Sequence, residues 1–300
     1  MNDEVWKYFV RVRLWPRQTQ FDPKGWMSNF DDAERPFAAR LLEGFTFFSN
    51  ELVAATFRSV FKNLSQVVLR NRSNYLAAAN EWAAFVDSVI VVRVAGQIAS
   101  EADSGYIFTR LSRDVLGIAE GRLMSPQAAL ESLRKQPHQS IVFVDDFVGT
   151  GEQFVGMWER VHELSNAWAS FKSLALTSGA GSISFYYVPL ICAERGRGYI
   201  AEKCPQVKLL PAHVLAPSYS ALATDSVIWR DDMAATGPKF IEKVSERAGL
   251  RDLDGNEGCW RGYRRLGLAL AFEHGVPDAT LPIFTVANDN WKPLIKSAAA

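Results

Sequence analysis

The chain has 300 residues, 48% hydrophobic and 22% charged, which is enough apolar content for one large domain or two modest ones. Lys plus Arg and Asp plus Glu both number 33, so the formal net charge is zero and no global field draws the chain to nucleic acid or an anionic membrane. No apolar run approaches the roughly 18–20 residues of a membrane span, and the start MNDEVWKYFVRVRLW lacks the apolar segment and cleavage site of a secretion signal, so a cytoplasmic location and no membrane partner are expected.

Residues 1–87 read as a helical region. Alanines, leucines and aromatics recur at helical spacing through ERPFAARLLEGFTFFSNELVAATFRSVFKNLSQVV and NYLAAANEWAAFVDS, with Asn50 and Asn74 as caps or breaks. The many Phe and Trp residues are expected to pack inward rather than to stack on bases.

From residue 88 the texture changes. SVIVVRVAG predicts a buried strand, PQAALESLRKQ a helix with Pro126 in its first turn, IVFVDD a second strand, and EQFVGMWERVHELSNAW a helix with Phe154, Trp158, Val161 and Leu164 on one face. SISFYYVPLICAE, GYIAEKC and VKLLPAHVL read as strand, helix and strand. This alternation over 88–216 predicts an α/β core, a mostly parallel doubly wound sheet. Residues 217–300 are expected as a helical C-terminal extension with an irregular Pro- and Asn-rich tail, packed with the N-terminal region on the core. In that tail Asp278, Thr280, Asn288 and Asn290 serve either as a polar lid or as turn formers while Phe284 and Trp291 anchor it.

Cys192, Cys204 and Cys259 form no CxxC pair, and the four histidines show no HExxH spacing, so neither a disulfide framework nor a metal held by protein side chains is expected. The chemistry concentrates in IVFVDDFVGTGEQF, residues 141–154. Here an apolar strand runs into Asp145 and Asp146, and a loop containing Gly149, Thr150, Gly151, Glu152 and Gln153 leads into a helix. In an open parallel sheet ligands bind beyond the carboxyl ends of the strands. A glycine-bearing loop at a helix N-terminus offers free amides and a positive dipole end to an anion. The economical ligand has vicinal hydroxyls for the carboxylates and a phosphate for the loop, which describes a ribose 5-phosphate. A structural strand whose acids cap the next helix is the competing reading. An ATPase reading lacks a GxxxxGK[ST] loop.

The motif resembles that of the type I phosphoribosyltransferases: four apolar residues (Ile141–Val144), two acids, two apolar residues (Phe147, Val148), a variable one (Gly149), then Thr150–Gly151. Gln153 stands where the family usually has a hydroxyl residue. The resemblance implies that Asp145 and Asp146 hold the ribose hydroxyls of phosphoribosyl pyrophosphate and serve as the catalytic acids, that Gly149 to Gln153 cradle the 5-phosphate, and that Mg2+ accompanies the pyrophosphate. Such an enzyme also needs a pyrophosphate loop. ADSGYIFTRLSRD offers Ser104 and Gly105 in a turn with Arg110 and Arg113 nearby, either as pyrophosphate ligands or as solvated helix charges. Gly196-Arg197-Gly198 is expected as a second basic loop near the same sheet edge.

Over almost the whole chain, GWMSNF, ARLLEGF, DSGYIFTR, VDDFVGTGEQF and AFEHGVPDATLPIF…NWKPL resemble a divergent phosphoribosyltransferase-like group of bacterial conflict systems, some beside retron reverse transcriptases. That resemblance implies an anti-phage setting, with other defence proteins or a retron ribonucleoprotein as partners and the oligomeric state open. Two function readings follow: a transferase acting as a defence effector, or a non-catalytic subunit of a defence complex that senses phosphoribosyl pyrophosphate or a nucleotide or serves in assembly. A third reading has RNRSNY (70–75) or RGYRRLG (261–267) contact nucleic acid, against the alternative that both are solvated faces.

Overall fold

The computed structural model describes residues 3–16, 20–70, 72–94, 96, 105–136, 139–177, 183–256 and 258–296. The chain forms two compact units, one from residues 1–53 with 215–300, the other from residues 54–214. The expected boundaries at 87/88 and 216/217 do not coincide with these cuts.

The first unit opens with α1 (Asp3–Arg11), α2 (Pro23–Met27), α3 (Arg35–Glu43) and β1 (Thr46–Phe48). Local chemistry sets these starts. Asp22 caps α2, its carboxylate accepting from Gly25 N at 2.8 Å, and Pro23 occupies the first turn where no donor is missed. Ahead of α3, Asp31 and Glu34 form a reciprocal capping box: Asp31 Oδ1 accepts from Glu34 N at 2.9 Å, and Glu34 Oε2 from Asp31 N at 3.3 Å.

The second unit begins in α4 (Asn50–Asn63) and continues through α5 (Ser65–Val68), α6 (Tyr75–Ser88), β2 (Ile90–Arg93), α7 (Gly105–Leu116), β3 (Leu123–Met124), α8 (Pro126–Lys135) and β4 (Gln139–Val148). It then runs through α9 (Glu152–Glu159), β5 (His162–Leu164), β6 (Ala167–Ala169), α10 (Phe171–Thr177), β7 (Ile183–Ala193), α11 (Glu194–Lys203), β8 (Val207–Leu209) and β9 (His213–Leu215). The first unit closes with α12 (Gly237–Arg247) and β10 (Leu270–Phe272). Asn74 caps α6 as expected, accepting from Ala77 N, whereas at α4 the cap is Ser49, whose hydroxyl accepts from Leu52 N.

The second unit contains the expected α/β sheet. Its sheet has the order β3-β2-β4-β7-β8, with β9 also on β7, and the β3–β2, β2–β4, β4–β7 and β7–β8 pairs are all parallel. Helices cover both faces. Ile141 and Phe143 join Phe154 and Trp158 of α9, Leu130 of α8 and Phe171 of α10 in one buried cluster, while α6 and α7 lie against the sheet from the other side. Buried on both faces, these strands read as continuous apolar runs.

Three sequence expectations change. The helix predicted over 152–168 stops at Glu159; Arg160 leaves helical geometry and residues 162–169 form the antiparallel β5–β6 hairpin, turning at Ser165–Asn166. Glu131 holds that turn, its Oε1 accepting from both Ser165 N and Oγ. The VKLLPAHVL strand is split, because Pro211 has no amide to donate and the chain meets β7 in two short pieces. RGYRRLGLALAFEHG forms no α-helix, only a kinked 3-10 turn at Tyr263–Arg265. Its backbone takes positive φ at Gly262, Arg264, Arg265 and Gly267, then enters β10, which pairs in parallel with β1, Phe48 beside Phe272.

The core of the first unit is aromatic, with Trp6, Trp15, Phe21, Trp26, Phe284 and Trp291 all buried. In the tail Asn288 acts as a turn former, its Oδ1 accepting from Asn290 N at 2.9 Å, whereas Thr280 Oγ1 donates to Leu270 O and Asn288 Nδ2 to Ala248 O, both distant in sequence; Phe284 and Trp291 sit in the core as expected. Among the described residues no helix is long and apolar enough to cross a membrane.

Candidate functional site

The strand carrying the acids runs further than expected. β4 continues to Val148, so Asp145 and Asp146 lie within it, and β7 stays in register beside it, Asp145 opposite Pro189 and Val148 opposite Cys192. Alternation along a strand starts the two side chains on opposite faces, but both bend forward along β4 and their carboxyl groups stay within hydrogen-bond reach of each other. Asp145 shares the face of Phe143 and is 5% exposed; Asp146 shares the face of Val142 and Val144 and is half-buried.

The two environments differ accordingly. Tyr187 of β7 donates its hydroxyl to Asp145 Oδ2 at 2.9 Å, and Asp146 N donates to Asp145 Oδ1 at 3.1 Å. Burial pushes the Asp145 carboxyl well above the usual aspartate range, the neighbouring Asp146 charge adds to this, and the Tyr187 bond only partly opposes it. Burial and the Asp145 charge likewise push the Tyr187 phenol up, so it remains a donor. Asp146 Oδ1 accepts from Phe147 N at 2.8 Å.

The loop follows at once. Gly151 is the N-cap of α9 with φ +80°, a conformation that suits glycine, and as a cap it brings no side chain to occupy the first-turn amides. Thr150 is buried at the turn, and Glu152 N lies 3.4 Å from its hydroxyl. The first turn of α11 backs the loop. A Cβ on Gly151 would meet Ile200 Cγ1 at 2.9 Å and Gly196 O at 3.0 Å, and a Cβ on Gly196 would meet Gly149 O at 2.6 Å. Residues 196–198 are therefore not the expected basic loop but part of a helix, in which Arg197 pairs with Glu194 at 2.7 Å.

Asp145, Asp146, Gly149, Thr150, Gly151, Glu152 and Gln153 thus come together at the carboxyl end of the central strand. The expected pyrophosphate ligands are placed differently. Ser104 lies outside the described residues, Gly105 is the first residue of α7, and Arg110 and Arg113 are exposed on that helix. The Arg113 guanidinium is taken by Asp114 at 2.8 Å and Glu120 at 3.1 Å. Two residues not anticipated from sequence, Tyr187 and Arg93, join the edge. Tyr187 supports the motif from β7, and Gly196, expected here in a loop, supports it from α11. Arg93, the last residue of β2, lies beside Val144 and so on the face of Asp146.

The PRTase-CE family model matches residues 23–296. The chain belongs to the PRTase-CE family. It is accordingly a phosphoribosyltransferase-like protein, and Asp145 to Gln153 lie in the α/β core of this family member. No curated protein matches the chain.

Burial pushes the Cys192 and Cys204 thiols up to about 12, which keeps them protonated and unreactive. Among the described residues no group of three or more His, Cys, Asp or Glu is placed to hold a metal ion. Mg2+ is commonly held by one or two carboxylates plus phosphate oxygens, and Asp146 is the half-buried carboxylate at this edge. Two of the three arginines of RGYRRLG pair with local acids, Arg261 and Arg265 with Asp252 and Arg265 also with Asp254.

Proposed function

We propose that the chain binds the ribose 5-phosphate portion of phosphoribosyl pyrophosphate or of a nucleotide, with the phosphate on the amides of Gly149–Gln153 and the ribose hydroxyls at the Asp145–Asp146 pair. The observation that carries this reading is the juxtaposition at the end of β4: a half-buried carboxylate followed within five residues by a helix N-terminus whose cap is glycine. Amide donors and the positive end of α9 favour an oxyanion, and a carboxylate beside them selects a ligand that also carries hydroxyls.

As a transferase the protein would break the bond between the ribose anomeric carbon and pyrophosphate, the electron pair leaving with pyrophosphate, and form a new bond to an acceptor. Magnesium brought by the ligand would supply charge neutralisation of the pyrophosphate. The chain's own part is to fix the ribose and its phosphate so that the anomeric carbon faces the acceptor. In the anti-phage setting that the resemblance implies, such an activity would consume or modify nucleotides.

One observation favours a second reading. Arg113 is engaged by Asp114 and Glu120, which suits a ligand-sensing subunit better than a site that captures departing pyrophosphate. Calorimetric titration with phosphoribosyl pyrophosphate and Mg2+, on the intact chain and on Asp146→Asn, tests the shared site. Pyrophosphate release with a pool of bases and nucleotides separates the two readings. Binding abolished by Asp146→Asn is expected; unchanged binding in that variant removes the ribose-site assignment. Binding without release under any acceptor leaves the sensor.

A further inference from the structure

We infer that Tyr187 is a positioning residue that ties the acid pair of β4 to the phosphate loop, and that the two acids divide their work, Asp146 touching the ribose and Asp145 holding it in place from inside. This rests on the ribose-phosphate reading above.

Tyr187 is buried and stands in register beside Phe143, on the core face of the sheet. Its hydroxyl reaches one step further along β4 to Asp145 Oδ2 at 2.9 Å. Its ring lies flat on Phe154, with centroids 4.1 Å apart and planes inclined by 10°. Phe154 is the third residue of α9, directly after Glu152 and Gln153 of the loop. One side chain therefore fastens both halves of the site: the polar end holds Asp145, and the aromatic face holds the helix whose N-terminus is the phosphate cradle.

The remaining Asp145 oxygen accepts from the Asp146 amide at 3.1 Å. Both oxygens of Asp145 are thus turned to the protein, and the second bond fixes the backbone of the residue that carries the more exposed carboxylate. A ribose diol needs that carboxylate at a set distance from the loop amides, and displacement of either by about 1 Å costs roughly a hundredfold in a tightly positioned site.

Tyr187→Phe keeps the stack on Phe154 and removes only the hydroxyl. It is measured beside Phe154→Leu, which keeps the hydroxyl and removes the stack, and Leu133→Val in α8, which loosens the same core. Melting temperature and affinity for magnesium phosphoribosyl pyrophosphate are read on each. Tyr187→Phe and Phe154→Leu are each expected to weaken binding about tenfold in protein that is still folded, whereas Leu133→Val lowers the melting temperature with affinity within about twofold of the parent. Affinity unchanged in both Tyr187→Phe and Phe154→Leu, with Asp146→Asn inactive in binding, overturns the inference and leaves the site assignment standing. A parent protein that binds no phosphoribosyl pyrophosphate, or an Asp146→Asn variant that binds it normally, overturns both. Should Tyr187→Phe fail to fold, Phe154→Leu decides alone.

Discussion

Gly196 in α11 faces Gly149 in the loop so closely that a Cβ on Gly196 would lie 2.6 Å from the Gly149 carbonyl oxygen and 2.9 Å from Val148 Cγ1. The obstacle is backbone, which cannot swing away as a long side chain would. Gly196→Ala is expected to push the loop off its helix, costing about 1–3 kcal/mol of stability and at least tenfold in affinity for a phosphorylated ribose. Gly198→Ala is the matched control, because nothing lies within 4 Å of its added methyl. Being inside a helix, that change should stabilise by about 0.5–1 kcal/mol. Equal effects of the two substitutions on ligand affinity, measured by calorimetry, would show that the Gly196–Gly149 approach does not shape the loop.

Asp145 should be a site residue that weakens the fold. Its folded carboxyl titrates above the unfolded one, mainly through burial, so the folded state holds the proton more tightly and stability falls as pH rises past about 4. Asp145→Asn removes that cost. The amide can still serve both neighbours, its oxygen accepting from Asp146 N and its nitrogen donating to the Tyr187 oxygen. The variant is expected to melt a few degrees above the parent at pH 7, with the gap closing as pH is lowered towards 4. A variant that melts lower at pH 7 would mean that the charge is stabilised in place.

The parts of this molecule legible in its sequence are those whose signal is local. β2, β4 and β7 announce themselves as apolar, β-branched or aromatic runs because both faces of the sheet are covered, and the acid pair with its Gly-Thr-Gly loop stands out against them. The β5–β6 hairpin was hidden because Phe154, Trp158, Val161 and Leu164 mimic a helical stripe; in the structure Val161 is exposed and Leu164 is buried in β5. Tyr187 was illegible for another reason. FYYV offers two adjacent tyrosines, and only the register of β7 on β4 decides which one meets Asp145. The pairing of β1 with β10 joins segments from opposite ends of the chain, a long-range choice that no local pattern encodes.

Glu34 carries the clearest pH dependence of the first unit. Arg247 grips it with two bonds, Nη1 to Oε1 at 2.9 Å and Nη2 to Oε2 at 2.7 Å, and Lys243 adds a third at 3.0 Å. The Arg247 bonds, aided by Lys243, outweigh burial and lower the Glu34 carboxyl to about 2. A depressed acid contributes stability above its unfolded value, near 4.5, and loses it as pH falls towards 2. Glu34→Gln is therefore expected to cost on the order of 2–3 kcal/mol at pH 7, and progressively less between pH 4.5 and 2. Urea denaturation at pH 7 and pH 3 checks this; a loss that does not shrink at low pH would place the cost in packing rather than in charge.

Trp26 and Trp291 meet at a single acceptor: each indole Nε1 donates to Ile283 O at 2.9 Å. The shared carbonyl links the GWMSNF, LPIF and NWKP segments inside one aromatic core, where Trp26 also stacks on Phe284 at 5.5 Å. Replacing one indole by Phe removes a bond and some packing, yet leaves the carbonyl served by the other. Replacing both strands a buried acceptor, and an unmade buried hydrogen bond costs more than a shared one gives up. The double variant Trp26→Phe/Trp291→Phe is thus expected to lose about 1 kcal/mol more than the two single losses combined. Equilibrium unfolding of the four proteins closes the cycle. Strict additivity would show that Ile283 O finds another donor and that the two tryptophans act only through the volume they fill.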